Sequence, residues 1–78
     1  MKREQIDKSH EDNLFSAILE LQTSDEARNF FYDLCTPNEL EGLVDRWRVA
    51  QMLVRKEPYR KIAQETNVST ATIVRVAR

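Results

Sequence analysis

The amino-acid sequence predicts an all-α fold of five or more helices that ends in a helix-turn-helix. Only one glycine and two prolines occur among 78 residues, so few positions interrupt regular backbone. No segment alternates polar and apolar residues with the period of a strand, whereas apolar residues recur at spacings of three and four. A threonine followed three positions later by a glutamate marks two helix starts. Together these patterns indicate helices throughout.

Length and composition limit the chain to one globular domain, residues 1–78. Hydrophobic residues make up 41% and charged residues 32%, a balance typical of folded chains. A chain this short buries a modest share of its surface. One cysteine allows no internal disulfide, and no histidine and cysteine cluster suggests a metal. We therefore expect oligomerisation to add stability, with core and dimerisation helices in residues 9–57 and the helix-turn-helix in residues 59–78.

Several classes of protein are disfavoured by what the chain lacks. The N-terminal segment is polar and resembles no signal peptide, and no apolar run reaches the roughly 18 residues of a membrane span. The unpaired Cys35 fits a reducing compartment, so we expect a cytoplasmic protein with no membrane partner. His10 is the only histidine and Cys35 lies beside a helix start, so no base, nucleophile and orienting group can be assembled. The sequence predicts that the protein is not an enzyme.

The first two helices are predicted from an apolar stripe and from a capping signal. The first is expected to begin near Ser9 and to end near Gln22. Its stripe has helical spacing and consists of Leu14, Phe15, Ile18, Leu19 and Leu21. The second begins at Thr23, three residues before Glu26, which is the spacing of a capping box. Its buried face is predicted to consist of Phe30, Phe31 and Leu34.

The third helix has the clearest start. Thr36 can cap it, Pro37 suits the first helical position, and Glu39 can reach back to the cap. We expect this helix to run to about Lys56, roughly 30 Å at 1.5 Å per residue. One side carries Leu40, Leu43, Val44, Trp47, Ala50, Leu53 and Val54. A helix of this length extends beyond any core that this chain can form around it. We therefore interpret it as a central helix shared between two subunits.

The last twenty residues have the size and residue pattern of a helix-turn-helix. A helix over "YRKIAQET" follows Pro58, and Ala63 provides a small residue where the two helices approach each other. Asn67 tolerates the positive φ that the turn requires, and Ser69 can cap the last helix. The apolar wedge between the helices is predicted to consist of Ile62, Val68, Ile73 and Val76. An ordinary helical hairpin is the alternative interpretation.

Charge is divided between the two parts of the chain, although the net charge is only −1. Residues 1–45 hold four basic and eleven acidic side chains, whereas residues 46–78 hold eight and two. A chain polarised in this way can present a basic face while staying close to neutral on average. The basic part includes the helix-turn-helix, which favours a nucleic-acid partner. The alternative is that both parts are solvated helix faces.

The outer face of the last helix is predicted to contact double-stranded DNA. Its small and hydroxyl residues let the backbone approach the groove, where free N–H groups can meet phosphate. Ala71 and the methyl group of Thr70 can touch a thymine methyl, and Arg78 can reach guanine or phosphate. The predicted DNA-binding residues are Arg60, Lys61, Ser69, Thr70, Ala71, Thr72, Val74, Arg75 and Arg78.

The segment from Leu34 to Arg78 resembles the Trp repressor family, and most of all its small relatives of the YerC/YecD type. The resemblance depends on the start "LCTPNE", the motif "RWR" in the long helix and "ATIVR" in the last helix. It implies an intertwined, all-helical homodimer that binds operator DNA and regulates transcription, with repression the expected mode. The family has a further helix after the recognition helix. Because no stop signal follows Arg78, we expect a longer natural protein or a tail that is disordered without DNA.

The resemblance also implies a ligand site, since family members bind L-tryptophan between the long helix and the recognition helix. The matching residues are Thr36, Arg46 and Arg75. This chain has Val76 where the Trp repressors have glycine, and a β-branched side chain fills space that an indole needs. We therefore expect no cofactor and DNA binding without a corepressor.

Three alternatives remain at this point. The ligand residues can have other roles, in which Thr36 caps a helix, Arg46 pairs with acids and Arg75 touches DNA. A tryptophan-responsive repressor is the second alternative, in which all three residues hold the amino acid. The third is a helical dimer that serves as a protein-interaction module, since a polarised helical surface can also bind an acidic protein.

Overall fold

Residues 5–78 are described by the structure, a computed structural model, and they form five α-helices without a β-strand. The helices are α1 (Lys8–Leu19), α2 (Ser24–Leu34), α3 (Pro37–Val54), α4 (Tyr59–Thr66) and α5 (Thr70–Ala77). The prediction of an all-α chain is therefore confirmed. Residues 1–4 of the predicted domain lie outside the described range. Within that range, no helix combines the length and the apolar character needed to cross a membrane.

Two compact units make up the chain, and the boundary between them falls after Leu34. The first unit contains α1 and α2, and the second contains α3, α4 and α5. The unit that includes the predicted helix-turn-helix thus begins at Cys35 and not at Tyr59, because α3 packs against both α4 and α5.

Helix α1 is capped by Asp7, two residues before the predicted start at Ser9. The Asp7 carboxylate accepts hydrogen bonds from the Ser9 N–H at 2.8 Å and from the Ser9 hydroxyl at 2.6 Å. These bonds lower the pKa of Asp7, the bond from the Ser9 side chain most of all. The helix ends at Leu19, earlier than predicted, because the N–H of Leu21 bonds the carbonyl of Ile18 in a tighter turn.

Helix α2 begins with a variant of the predicted capping box. The hydroxyl of Thr23 accepts the Glu26 N–H at 3.1 Å, as expected. The Glu26 carboxylate accepts the N–H of Gln22 at 3.0 Å, one residue before the predicted donor.

No side chain of α1 or α2 is buried in the described chain. Phe30 and Phe31 are half-buried and meet edge to face, with ring centroids 5.4 Å apart and an interplanar angle of 78°. Leu34 keeps 59% of its surface exposed, so its assignment to a buried face is wrong for the single chain. Other large apolar residues of this unit that are exposed are Ile6, Leu14, Phe15, Leu19 and Tyr32.

Helix α3 has the predicted start but ends earlier than expected. The Thr36 hydroxyl accepts the Glu39 N–H at 3.2 Å, and the Thr36 N–H donates to the Glu39 carboxylate at 2.8 Å, which confirms the capping box. The helix stops at Val54 because Lys56 adopts the left-handed region with φ of 61°. The N–H of Lys56 then bonds the Leu53 carbonyl at 2.9 Å, as in a Schellman ending.

Four buried residues form the core of the second unit, and they come from all three of its helices. They are Val49 and Met52 of α3, Ile62 of α4 and Ile73 of α5. Partly buried side chains pack around them, namely Leu53, Ala63, Val68 and Val76. The wedge predicted between the last two helices is thereby confirmed.

The core-facing side of α3 matches the predicted apolar stripe only in part, at Leu53. Val49 and Met52 are buried, whereas much of the predicted apolar stripe stays exposed. Trp47 keeps 65% of its surface exposed and Val54 keeps 82%, and Leu43 and Val44 are also exposed. Helix α3 therefore has a second apolar face that the described chain leaves uncovered.

Candidate nucleic-acid interface

Two local features stabilise the turn between α4 and α5, a left-handed residue and a side-chain hydroxyl. Asn67 adopts φ of 58° and ψ of 20°, and its N–H bonds the carbonyl of Ala63 at 3.0 Å. This confirms the predicted left-handed turn residue. The buried hydroxyl of Thr66 donates to the Ile62 carbonyl at 2.7 Å and accepts the N–H of Val68 at 3.3 Å. The same oxygen thus joins the last turn of α4 to the start of the connection.

Helix α5 begins at a side-chain cap, as predicted. The Ser69 hydroxyl accepts the Thr72 N–H at 3.2 Å and donates to the Thr72 hydroxyl at 3.0 Å. Ser69 is therefore occupied in holding the helix start, while its neighbour Thr70 is exposed. No acidic residue occurs between Ser69 and Arg78, so this segment carries only positive side-chain charge.

A charge cluster surrounds Glu57, which precedes α4. The Lys61 ammonium lies 2.7 Å from one carboxylate oxygen of Glu57, and Arg55 lies 3.5 Å from the other. The hydrogen bond from Lys61 lowers the pKa of Glu57, and the same bond raises the pKa of Lys61. Lys61 is thus engaged within the chain, whereas Arg60 is exposed and has no ion pair among the described residues.

The predicted DNA-binding residues lie mostly on the surface. Exposed are Arg60, Lys61, Ser69, Thr70, Ala71, Val74, Arg75 and Arg78. Thr72 is half-buried because it pairs with the cap and lines a cleft. At about 100° per residue, a helix that turns Ile73 and Val76 inward carries four residues on the opposite side. These are Ala71, Val74, Arg75 and Arg78.

Arg48 fastens α4 to α3, a role that sequence reasoning missed. Its guanidinium Nη2 donates to the carbonyl of Glu65 at 3.4 Å, near the end of α4 where carbonyl groups lack partners within the helix. The motif "RWR" contained the residue, but its spacing alone could not indicate which carbonyl it would reach.

A cleft of about 270 Å³ lies between α3 and α5, lined by Arg46, Thr72, Arg75 and Val76. It brings together two of the three residues predicted for a ligand, Arg46 and Arg75. Thr36 does not line it. Its hydroxyl and N–H both bond Glu39 at the start of α3. The alternative in which Arg46 pairs with acids is not observed within residues 5–78, since none of their ion pairs includes Arg46.

Gly42 makes room for the Arg46 guanidinium. A Cβ atom at Gly42 would lie 3.2 Å from Nη1 of Arg46, closer than ordinary van der Waals contact. A shift of a few tenths of an ångström in the exposed Arg46 side chain would relieve this contact, and glycine costs about 1 kcal/mol relative to alanine within a helix. The sequence feature that indicates this close approach is the single glycine, four residues before an arginine.

Residues 9–78 match the family model described as Trp repressor protein. Over 67 residues the chain is 51% identical to YerC of Bacillus subtilis strain 168, which is itself uncharacterized. That match covers 86% of this chain and 64% of YerC. The chain thus spans a little under two thirds of the length of this curated relative.

Two solved structures are similar to the chain. A TrpR-like protein from Eubacterium eligens is 51% identical with a TM-score of 0.79, over 86% of this chain and 69% of that one. A Staphylococcus aureus protein, provisionally assigned as a Trp repressor, is 45% identical with a TM-score of 0.84. The second match covers 100% of this chain and 78% of the other.

Proposed function

The chain belongs to the Trp repressor family, and on this premise we propose that it regulates transcription by binding double-stranded DNA as a homodimer. The family and the fold are those of transcription regulators and not of enzymes. Sequence-specific binding and repression are the finer parts of the proposal. A reporter gene placed behind a selected operator would test repression, with higher expression expected when the protein is deleted.

The observation that best supports DNA binding is the ordered helix-turn-helix with a basic outer side on α5. Asn67 and Thr66 order the turn, so α5 is presented without a large ordering cost on binding. Arg75 and Arg78 are exposed and form no ion pair with any described residue. Contact with phosphates and base edges requires unpaired cations on the outer side of a helix whose inner side packs against the core.

A second copy of the chain is the partner that the uncovered apolar surfaces fit. Trp47, Ala50, Gln51 and Val54 line an open groove on α3 whose surface is mainly apolar. No residue of α1 or α2 is buried in the single chain. Apolar surface of this extent is costly in water, and family membership points to its burial in a dimer. Light scattering should give twice the 9.2 kDa of one chain, and a monomer would contradict the dimer.

A dimer would place two α5 helices on one face of a duplex. In helix-turn-helix dimers the two half-sites lie about 34 Å apart, one turn of DNA. We therefore expect an operator with two-fold symmetry and that spacing.

The proposed DNA binding requires no corepressor. Val76 lines the cleft between Arg46 and Arg75 and also packs against the core, so it cannot move aside without disturbing the α3 and α5 packing. The alternative is a tryptophan-responsive repressor, which is favoured by the two guanidinium groups that share this cleft.

Titration with duplex DNA at two salt concentrations tests the proposal. Binding should weaken as salt rises, because each cation that neutralises a phosphate adds about 0.9 to the slope of log K against log salt. The double variant Arg75→Ala, Arg78→Ala should weaken binding and lower that slope, by up to about 3.6 if all four arginines of a dimer meet phosphate.

Arg28→Ala is the matched control, since Arg28 pairs with Asp25 at 2.9 Å on α2 and should not contact DNA. It should bind DNA as the unchanged protein does. If the protein does not bind DNA at low salt, or if its affinity does not depend on salt, the DNA proposal is wrong. Either result would favour the protein-interaction module.

A further inference from the structure

The outer side of α5 carries an apolar residue that the core does not need. Ile73 is fully buried and Val76 is half-buried, whereas Val74 keeps 45% of its surface exposed. Ala71 precedes Val74 by three residues, so the two are neighbours on the helix surface. Both are exposed, and we call this pair the apolar strip.

The apolar strip is flanked by positive charge. Arg75 follows Val74 directly, and Arg78 lies four residues after Val74 on the same side of the helix. Packing this face against the same face of a second copy would bring four arginines together without an acid from either helix. A polyanion with apolar groups between its charges is a better complement to this surface.

We propose that the apolar strip, and Val74 in particular, selects thymine in each operator half-site by contacting its 5-methyl group. The inference rests on the DNA-binding function proposed above and adds the base that α5 prefers. Thymine is the one DNA base that presents a methyl group in the major groove. Two exposed side chains without hydrogen-bonding atoms can favour it without a polar contact, while Arg75 and Arg78 supply the attraction to phosphate or guanine.

Valine is otherwise a poor choice at this position. Its branched side chain lowers helix propensity relative to alanine, and here nearly half of its surface still faces water. Contact with a methyl group would remove its exposed surface from water. Burial of one methyl group should change affinity about fourfold in each half-site, and about fifteenfold when both half-sites of a dimer lose it.

Thymine-to-deoxyuridine replacement is the direct test, because deoxyuridine differs only in lacking the methyl group. Duplexes are first selected from a random pool with the unchanged protein, and each thymine is then replaced in turn. We expect one thymine per half-site to be sensitive to the replacement, with a fourfold loss of affinity. The variant Val74→Ala should bind the thymine and deoxyuridine duplexes almost equally. It should fold, since alanine is the better helix former at an exposed site.

Arg60→Ala supplies the contrast. Arg60 lies at the start of α4, so its removal should weaken binding to both duplexes by the same factor. Two results would overturn this inference without affecting the proposed function. One is a thymine preference that is undiminished in Val74→Ala. The other is the absence of a sensitive thymine in selected duplexes whose binding depends on salt. A protein that binds no duplex at low salt would overturn the proposed function as well.

Discussion

Thr66→Val tests whether one buried hydroxyl holds the helix-turn-helix together. Thr66 is 4% exposed, and its hydroxyl makes two hydrogen bonds, to the Ile62 carbonyl and from the Val68 N–H. Valine has nearly the same shape but can make neither bond. The substitution therefore removes the polar link without opening a cavity.

The expected loss of folding free energy follows from the Val68 N–H, which loses its hydrogen-bond acceptor. A donor left unpaired in a partly buried site costs about 1–3 kcal/mol, and the added methyl group returns up to about 0.8 kcal/mol. We expect a net loss of about 1–2 kcal/mol. For a domain of this size each kcal/mol corresponds to roughly 4–8 °C, so Tm should fall by about 5–15 °C at a fixed protein concentration.

Amide hydrogen exchange at Val68 distinguishes the polar link from packing. The Val68 N–H should exchange faster in Thr66→Val, because its acceptor is gone. Thr66→Ser keeps the hydroxyl and loses only a methyl group, so it should lose some stability while its Val68 amide remains protected. Equal protection of Val68 in the unchanged protein and in Thr66→Val would refute the reasoning, whatever happens to Tm.

Three further substitutions test the end of α3, the charge cluster and the cleft. Lys56→Gly should stabilise by about 0.5–1 kcal/mol in urea unfolding, because glycine adopts the positive φ of this position without strain. The pKa of Glu57 is lowered in the folded state, so its contribution is present above the ordinary value of 4.5 and is lost as pH falls through the lower folded value. Glu57→Gln should therefore reduce stability at pH 7 and flatten its decline on acidification. Calorimetry with L-tryptophan should show no heat above dilution, whereas Val76→Gly should bind the amino acid because the cleft gains space.

The substitutions of Lys56 and Glu57 each have a matched control. Lys56→Ala removes the same charge but keeps a Cβ at positive φ, so a gain equal to that of Lys56→Gly would disprove relief of backbone strain. Glu41→Gln removes a carboxylate that has no ion pair among the described residues, and it should not change the acid profile as Glu57→Gln does. A micromolar tryptophan site in the unchanged protein would show that Val76 leaves the cleft open.

The elements that could be predicted from the sequence are those held by neighbouring residues. The capping box of Thr36 and Glu39, the left-handed Asn67 and the cap at Ser69 all formed as predicted. Each depends on hydrogen bonds or steric limits that act within four residues. Helix ends were less accurate, because Lys56 takes a conformation that its residue type disfavours.

The apolar faces were harder to assign. Helix α3 carries apolar residues on more than one side, and periodicity cannot tell a core from an interface. Val49 and Met52 face α4 and α5, whereas Trp47 and Val54 remain open. Likewise, the family resemblance implied a ligand site of Thr36, Arg46 and Arg75, but only Arg46 and Arg75 line the same cleft.

The amino-acid sequence by itself determined where helices begin, where the last two are joined and which of their residues form the wedge. These features depend on backbone conformation and on side chains that lie nearby in the sequence. Only the tertiary structure decided which side of α3 is buried and that Arg48 reaches Glu65. It also decided that Arg46 and Arg75 line one cleft while Thr36 does not. Such contacts join residues far apart in the chain, and their geometry depends on how whole helices pack.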